Sequence, residues 1–91
     1  MTYLKVMWNT ARAHQPVLIY SELDPERWEL RKVEIFRDGR VLYADSEIEC
    51  GGRGLSTLPL PSLEQIAADP VFEPKVISKA EFEEVWAKAT A

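Results

Sequence analysis

RKVEIFRDGRVLYADSE, residues 31–47, is the stretch that decides how this chain is read. Two runs of alternating apolar residues flank a single Asp38-Gly39, and alternation of that kind marks half-buried β-strands. Asp-Gly signals a hairpin, because a two-residue type I′ loop needs positive φ at both central positions, which Gly adopts freely and Asp tolerates. With that loop the register follows: Phe36 faces Val41, Ile35 faces Leu42, Glu34 faces Tyr43, Val33 faces Ala44 and Lys32 faces Asp45. Side chains alternate across a strand, so Val33, Ile35, Leu42 and Ala44 are expected to form an apolar core face. Lys32, Glu34, Phe36, Val41, Tyr43 and Asp45 then fall on the outer face, and Arg31 sits at the rim of the core face.

N-terminal to the hairpin, TYLKVMWN (2–9) sets Leu4, Val6 and Trp8 against Tyr3, Lys5 and Met7, which predicts a first strand. Pro16 opens PVLIYSEL (16–23), a second strand starting where a missing N–H costs least. DPER (24–27) is a turn signal, and WELRKVEIF and RVLYADSE follow as strands three and four. Pairing Ile19 with Val33 and Val17 with Ile35 would add Leu18, Tyr20 and Glu22 to the outer face.

C-terminal to it, ECGGRGLSTLPLP (49–61) is a Gly- and Pro-rich connector. Ser62 and Gln65 fit a capping box for a short helix over LEQIAA, stopped by Asp69-Pro70. Ser78 and Glu81 fit a second box, with Ile77 and Phe82 at the positions of a hydrophobic staple. Phe82, Val85, Trp86 and Ala89 recur at i, i+3, i+4 and i+7, one apolar stripe, while Glu84 and Lys88 pair on the wet side. Strands followed by helices predict an α+β domain over residues 1–91. It is a four-stranded antiparallel sheet with its hairpin at 38–39, then a short helix and a C-terminal amphipathic helix packed on one face. Phe82 and Trp86 are expected on Val6, Trp8, Val33 and Ile35.

The charge of −4 is uneven. Residues 1–45 balance seven basic against seven acidic side chains, whereas 46–91 carry four against eight. That excess opposes nucleic acid and points to partners with basic surfaces. One cysteine excludes an intrachain disulfide. The first residues alternate instead of forming the apolar run of a signal peptide, and nothing approaches the roughly 20 apolar residues of a membrane span. A cytoplasmic protein without membrane contact is expected.

Chemistry-bearing patterns are sparse. One His and one Cys cannot assemble a zinc site with such ligands within one chain, so no metal and no cofactor is expected. Cys50 and His14 read as a lone thiol and a loop histidine, and GGRG (51–54) lacks the context of a phosphate-binding loop. Glu22, Asp24, Glu29 and Glu34 are carboxylates on the second and third strands or their turn. A small enzyme or ligand-binding protein would use Glu22 and Glu34 in a cleft. Arg27, Arg31, Lys32, Arg37 and Arg40 interleave with Trp28, Phe36 and Tyr43, a composition that could stack single-stranded bases, yet Glu22, Glu29, Glu34, Asp38 and Asp45 stand among them. The leading expectation is therefore a stand-alone protein-binding module and not an enzyme. Tyr20, Glu22, Lys32, Glu34, Phe36 and Tyr43 are its partner-binding residues, aromatics rimmed by charge. Two possibilities stay open for that face: it is free for a partner, or the short helix or the 51–61 connector covers it. No oligomeric state is specified.

VLIYSELDPERWELRKVEIFRDGRVLYAD, then LPLPSLEQIAADPVFEP and ISKAEFEEVWAKA, resembles a bacterial family of small proteins of this length known as a domain of unknown function. The hallmarks are Glu34-Ile35-Phe36, Asp38-Gly39-Arg40, the Pro-rich connector and the Glu-Phe-rich last helix. The resemblance carries no catalytic motif and assigns no functional residue. Small acidic proteins of this kind resemble, as a class, immunity proteins that neutralise a toxin, which implies a toxin as the partner.

Overall fold

The computed structural model describes residues 1–9, 12, 15–45, 55 and 59–91. His14, Cys50 and the 51–54 stretch lie outside the described residues. The elements run β1 (Thr2–Trp8), β2 (Leu18–Leu23), β3 (Glu29–Ile35), β4 (Val41–Ala44), α1 (Leu63–Ala67), β5 (Phe72–Ile77) and α2 (Lys79–Ala89). The sheet has five antiparallel strands in the order β4-β3-β2-β1-β5, so the α+β class holds while the expected count of four does not. The added strand, β5, returns from α1 to pair with β1, Val6 opposite Pro74. A proline has no N–H for the ladder, and β5 lies at the sheet edge, where that omission is tolerated.

The hairpin at 38–39 forms with a different loop. Phe36 N–H donates to Arg40 O at 2.9 Å and Gly39 N–H to Phe36 O at 3.0 Å. Gly39 has φ +90°, while Asp38 keeps negative φ. The loop therefore has three residues, a type I turn closed by a left-handed glycine, instead of the two-residue type I′ turn. Asp38 holds it by accepting from Arg40 N–H at 3.0 Å and Arg40 Nε at 2.9 Å. One extra loop residue moves the register by one, giving Val33↔Tyr43 and Ile35↔Val41 in place of Val33↔Ala44 and Ile35↔Leu42. Such a slip turns every β4 side chain to the other face.

The β2–β3 connection repeats this geometry. Asp24 N–H donates to Trp28 O at 3.0 Å, Arg27 N–H donates to Asp24 O at 2.9 Å, and Arg27 takes the left-handed position at φ 70°. The β2 register also differs from expectation by one, with Tyr20 opposite Val33 and Leu18 opposite Ile35.

These registers bury both faces. On one, α2 lays Phe82 and Trp86 over Tyr3, Tyr20, Val33 and Ile77, flanked by Leu18, Ile35 and Tyr43. Tyr3 and Phe82 rings are 5.4 Å apart, and Tyr43 meets Trp86 edge-on at 5.7 Å. Val33 and Ile35 lie under α2 as expected. Val6 and Trp8 point the other way, where Leu4, Leu23, Phe36 and Ala44 are also buried and Trp8 packs on Phe72 at 5.2 Å. Both helix starts form where the capping residues predict them. Ser62 and Gln65 make the full reciprocal box, and Ser78 Oγ accepts from Glu81 N–H at 3.1 Å.

Candidate functional site

The six residues expected on one outer face are divided between two faces. Tyr20, Glu22 and Tyr43 lie under α2, because the observed registers align them with Val33 and Arg31. Lys32, Glu34 and Phe36 lie on the opposite side, and Phe36 is only 3% exposed. The free aromatic surface built on Phe36 and Tyr43 is thus absent: both are packing residues. On the side that carries Lys32 and Glu34, residues 60–61 and α1 border a cavity, while most of the 51–61 connector lies outside the described residues. Glu22 and Glu34 point to opposite faces and cannot share a cleft.

The α2 face contains an ion-pair cluster. Arg31 grips Glu22 through Nε–Oε1 at 2.7 Å and Nη2–Oε2 at 2.9 Å, and Nη2 also donates to Glu83 on α2. Its guanidinium lies 4.9 Å from the Phe82 ring and 5.1 Å from Trp86. The hydrogen bonds from Arg31 hold the Glu22 carboxyl below its ordinary value, burial notwithstanding, while burial and then Glu22 push the Tyr3 hydroxyl up. Burial, followed by Glu81, raises Tyr20 likewise. Every charge here is matched to a neighbour, and the cluster serves to dock α2 on the sheet.

The other face holds the concavity. A cavity of about 480 Å³ opens between the sheet and the α1 side, with Val6, Ile19 and Phe72 as an apolar floor. Leu60 and Pro61, with Gln65, Ile66 and Asp69 from in and after α1, make the wall. Across β2 and β3 runs a polar line of Ser21, Glu29, Lys32 and Glu34. Ser21 Oγ donates to Glu29 Oε2 at 2.9 Å, and Lys32 Nζ lies 3.8 Å from Glu34 Oε1. Glu29 and Glu34 are 9% and 6% exposed, a degree of burial carboxylates reach only with matched partners or a purpose.

Local chain geometry puts these groups there. Ser21 lies opposite Lys32 and Ile19 opposite Glu34, so strict alternation brings all four to one face. Glu29 would belong to the α2 face by alternation from Arg31. A register shift between Glu22↔Arg31 and Leu23↔Glu29 adds one residue to β3 and turns Glu29 to the cavity side with Leu23. Bulges do this near binding sites, re-aiming one side chain. The wall is anchored by Arg27, whose Nε and Nη2 donate to the carbonyls of Leu60 at 3.0 Å and Pro61 at 2.6 Å, while Leu60 N–H donates back to Arg27 O at 2.9 Å.

From the sequence, Glu34 and Glu29 are candidates among the strand carboxylates, whereas Ser21 and the α1 wall pass unnoticed. Ser21 offers no signal beyond its place in a strand. The basic residues weighed for nucleic acid do not all share a face: Arg31 is under α2, whereas Lys32 lines the cavity, Arg27 donates to the carbonyls of its wall and Arg40 stacks on Phe36 at 4.7 Å. Among the described residues no His, Cys, Asp and Glu gather closely enough to hold a metal ion, and no helix is long and apolar enough to cross a membrane.

Comparison with curated proteins and with solved structures gives no significant match. A family model does match, over residues 2–91. From β1 to the end of α2, the chain belongs to the family described as "Domain of unknown function (DUF6881)".

Proposed function

We propose that this protein is a ligand-binding module whose site is the cavity between the sheet and α1. One observation carries the proposal: a cavity of about 480 Å³ with an apolar floor and a short line of buried polar groups. Small-molecule sites have that volume and that make-up, apolar surface supplying affinity and a few fixed polar groups supplying orientation. Catalysis is not part of the proposal, since the two carboxylates first paired for acid–base work, Glu22 and Glu34, are on opposite faces.

The test is a methyl-resolved NMR titration with benzyl alcohol, a neutral probe with an apolar body and a polar head. Val6, Ile19 and Ile66 methyls should shift, with those of Val33, Ile35 and Ile77 beneath α2 unmoved. Shifts confined to the α2 face, or none at all, would overturn the proposal.

A second function is favoured by the charge of −4 and its concentration in residues 46–91. In it the module is a cytoplasmic, immunity-type inhibitor that covers a basic surface on a toxin, with the acidic side chains steering association. Association that slows steeply as salt rises would support this function, and salt-independent association would count against it.

A further inference from the structure

We infer that β4 pairs antiparallel with β4 of a second copy of this chain, joining two sheets edge to edge about a two-fold axis at Leu42. The residues of this edge are separate from those that line the cavity beside α1. The sheet has two edges, β4 and β5, and the chain treats them differently. Asn9 N–H donates to Val71 O at 2.8 Å, which marks a hydrogen-bonded pair, so by alternation Phe72, Pro74 and Val76 turn their main-chain groups outward. That edge is blunted. Phe72 N–H is spent on Asp69 O at 3.0 Å, and Pro74 has no N–H to offer.

At the other edge, the bond from Phe36 N–H to Arg40 O sets the same alternation, and Val41 and Tyr43 direct their N–H and C=O away from β3. Among the described residues no other strand pairs with them. Apart from its shortness, the strand VLYA has none of the guards of an open edge, neither charge nor proline, and Val41 is 38% exposed. Beside it a recess of about 280 Å³, lined by Ile35, Val41, Val85 and Ala89 among others, continues the apolar surface onto α2.

The pattern is self-complementary, which favours a second copy over a different partner. With Leu42 on the axis, Val41 of each copy exchanges both main-chain hydrogen bonds with Tyr43 of the other, so every outward group of the strand is used. Leu42 then faces Leu42 of the second copy in a non-hydrogen-bonded pair, with Cα atoms about 4.5 Å apart. Charge agrees with this direction. Arg40 precedes the strand and Asp45 follows it, so antiparallel pairing sets the basic end of each strand beside the acidic end of the other. The pairing of Arg40 with Asp38 is no obstacle, because both side chains are more than half exposed and such a pair is weak.

Sedimentation equilibrium of the full chain, from about 10 μM to about 1 mM, should show the average mass rising from that of one chain toward that of two. A monomer throughout would overturn the inference. Val41→Pro removes an outward N–H that β3 does not use, so by circular dichroism the chain should stay folded, while association weakens about tenfold or more. If that variant fails to fold, Val41→Lys puts a charge on the open edge and carries the same expectation. Association as tight as the parent's in the folded variant would show that β4 is not the interface. Oxidative cross-linking in a Cys50→Ser background reads the register. Leu42→Cys should give the disulfide-linked dimer faster than Val41→Cys. Leu42 faces its own copy, whereas the two Val41 positions are offset along the strands beyond the roughly 7 Å that a disulfide spans. Val41 is the more exposed side chain, so random collision favours the opposite order. Equal or reversed rates would overturn the two-fold axis at Leu42.

Discussion

Replacing Arg31 by Met leaves Glu22 without its main partner while keeping an apolar stem over Phe82 and Trp86. The Glu22 side chain is 12% exposed and that of Arg31 21%, so the pair is largely shielded, whereas Glu83 is 44% exposed and its share is small. Breaking a buried ion pair from one side costs about 3–5 kcal/mol, and an exposed pair is worth about 0–1. Loss of the cation over two rings adds roughly 1 kcal/mol, offset by the retained stem and by the residual hydration of Glu22. The expected cost is about 3 kcal/mol, a lowering of Tm by roughly 15–20 °C for a domain of this size. Urea denaturation at neutral pH measures it. Arg31 holds the Glu22 carboxyl below its ordinary value of 4.5, so the stabilisation is present above about that pH and is lost as pH falls through the lower folded value. The penalty of Arg31→Met should therefore shrink in acid, and Glu22→Gln/Arg31→Met should recover part of it at neutral pH. A cost below about 1 kcal/mol, or a double variant no more stable than Arg31→Met, would refute the assignment of this cluster as the α2 dock.

Phe36→Ala should destabilise by about 3–5 kcal/mol and Tyr43→Ala should also destabilise, both read by denaturation, because these rings are packed and not displayed. Gly39→Val should cost about 1–3 kcal/mol, chiefly from the left-handed backbone, since a Cβ there would meet nothing within 4 Å. Arg27→Gly and Arg27→Ala both lose the bonds to Leu60 and Pro61, but only alanine keeps the strained φ of 70°. Glycine should thus be the milder change, by about 1 kcal/mol.

The helices are legible in the sequence because capping is local. Ser62 with Gln65 and Ser78 with Glu81 set each start within four residues, and the Phe82–Trp86 stripe sets the buried side. Strand positions are legible for the same reason, through alternation. Register is not local. Asp38-Gly39 fits a two-residue loop and a three-residue loop equally well, and the difference of one residue decides whether Tyr43 faces Glu34 or Val33. β5 alternates too, but Pro74 argues against a strand in any position except an edge, and edge position depends on the whole sheet. The cavity required both corrections. Lys32 and Glu34 share a face with Ser21 only in the observed β2 register, and Glu29 joins them only through a bulge that no turn residue announces.

Filling the cavity from the α1 side is the decisive measurement. Ile66 lies half-buried on its wall, and Ile66→Trp would occupy space now open above Ile19 and Phe72. Benzyl alcohol binding, followed by the Val6 and Ile19 methyls, should be lost in this variant, while the methyl pattern of Val33, Ile35 and Ile77 beneath α2 stays that of the parent chain. Undiminished binding in a folded Ile66→Trp would show that the ligand site is elsewhere.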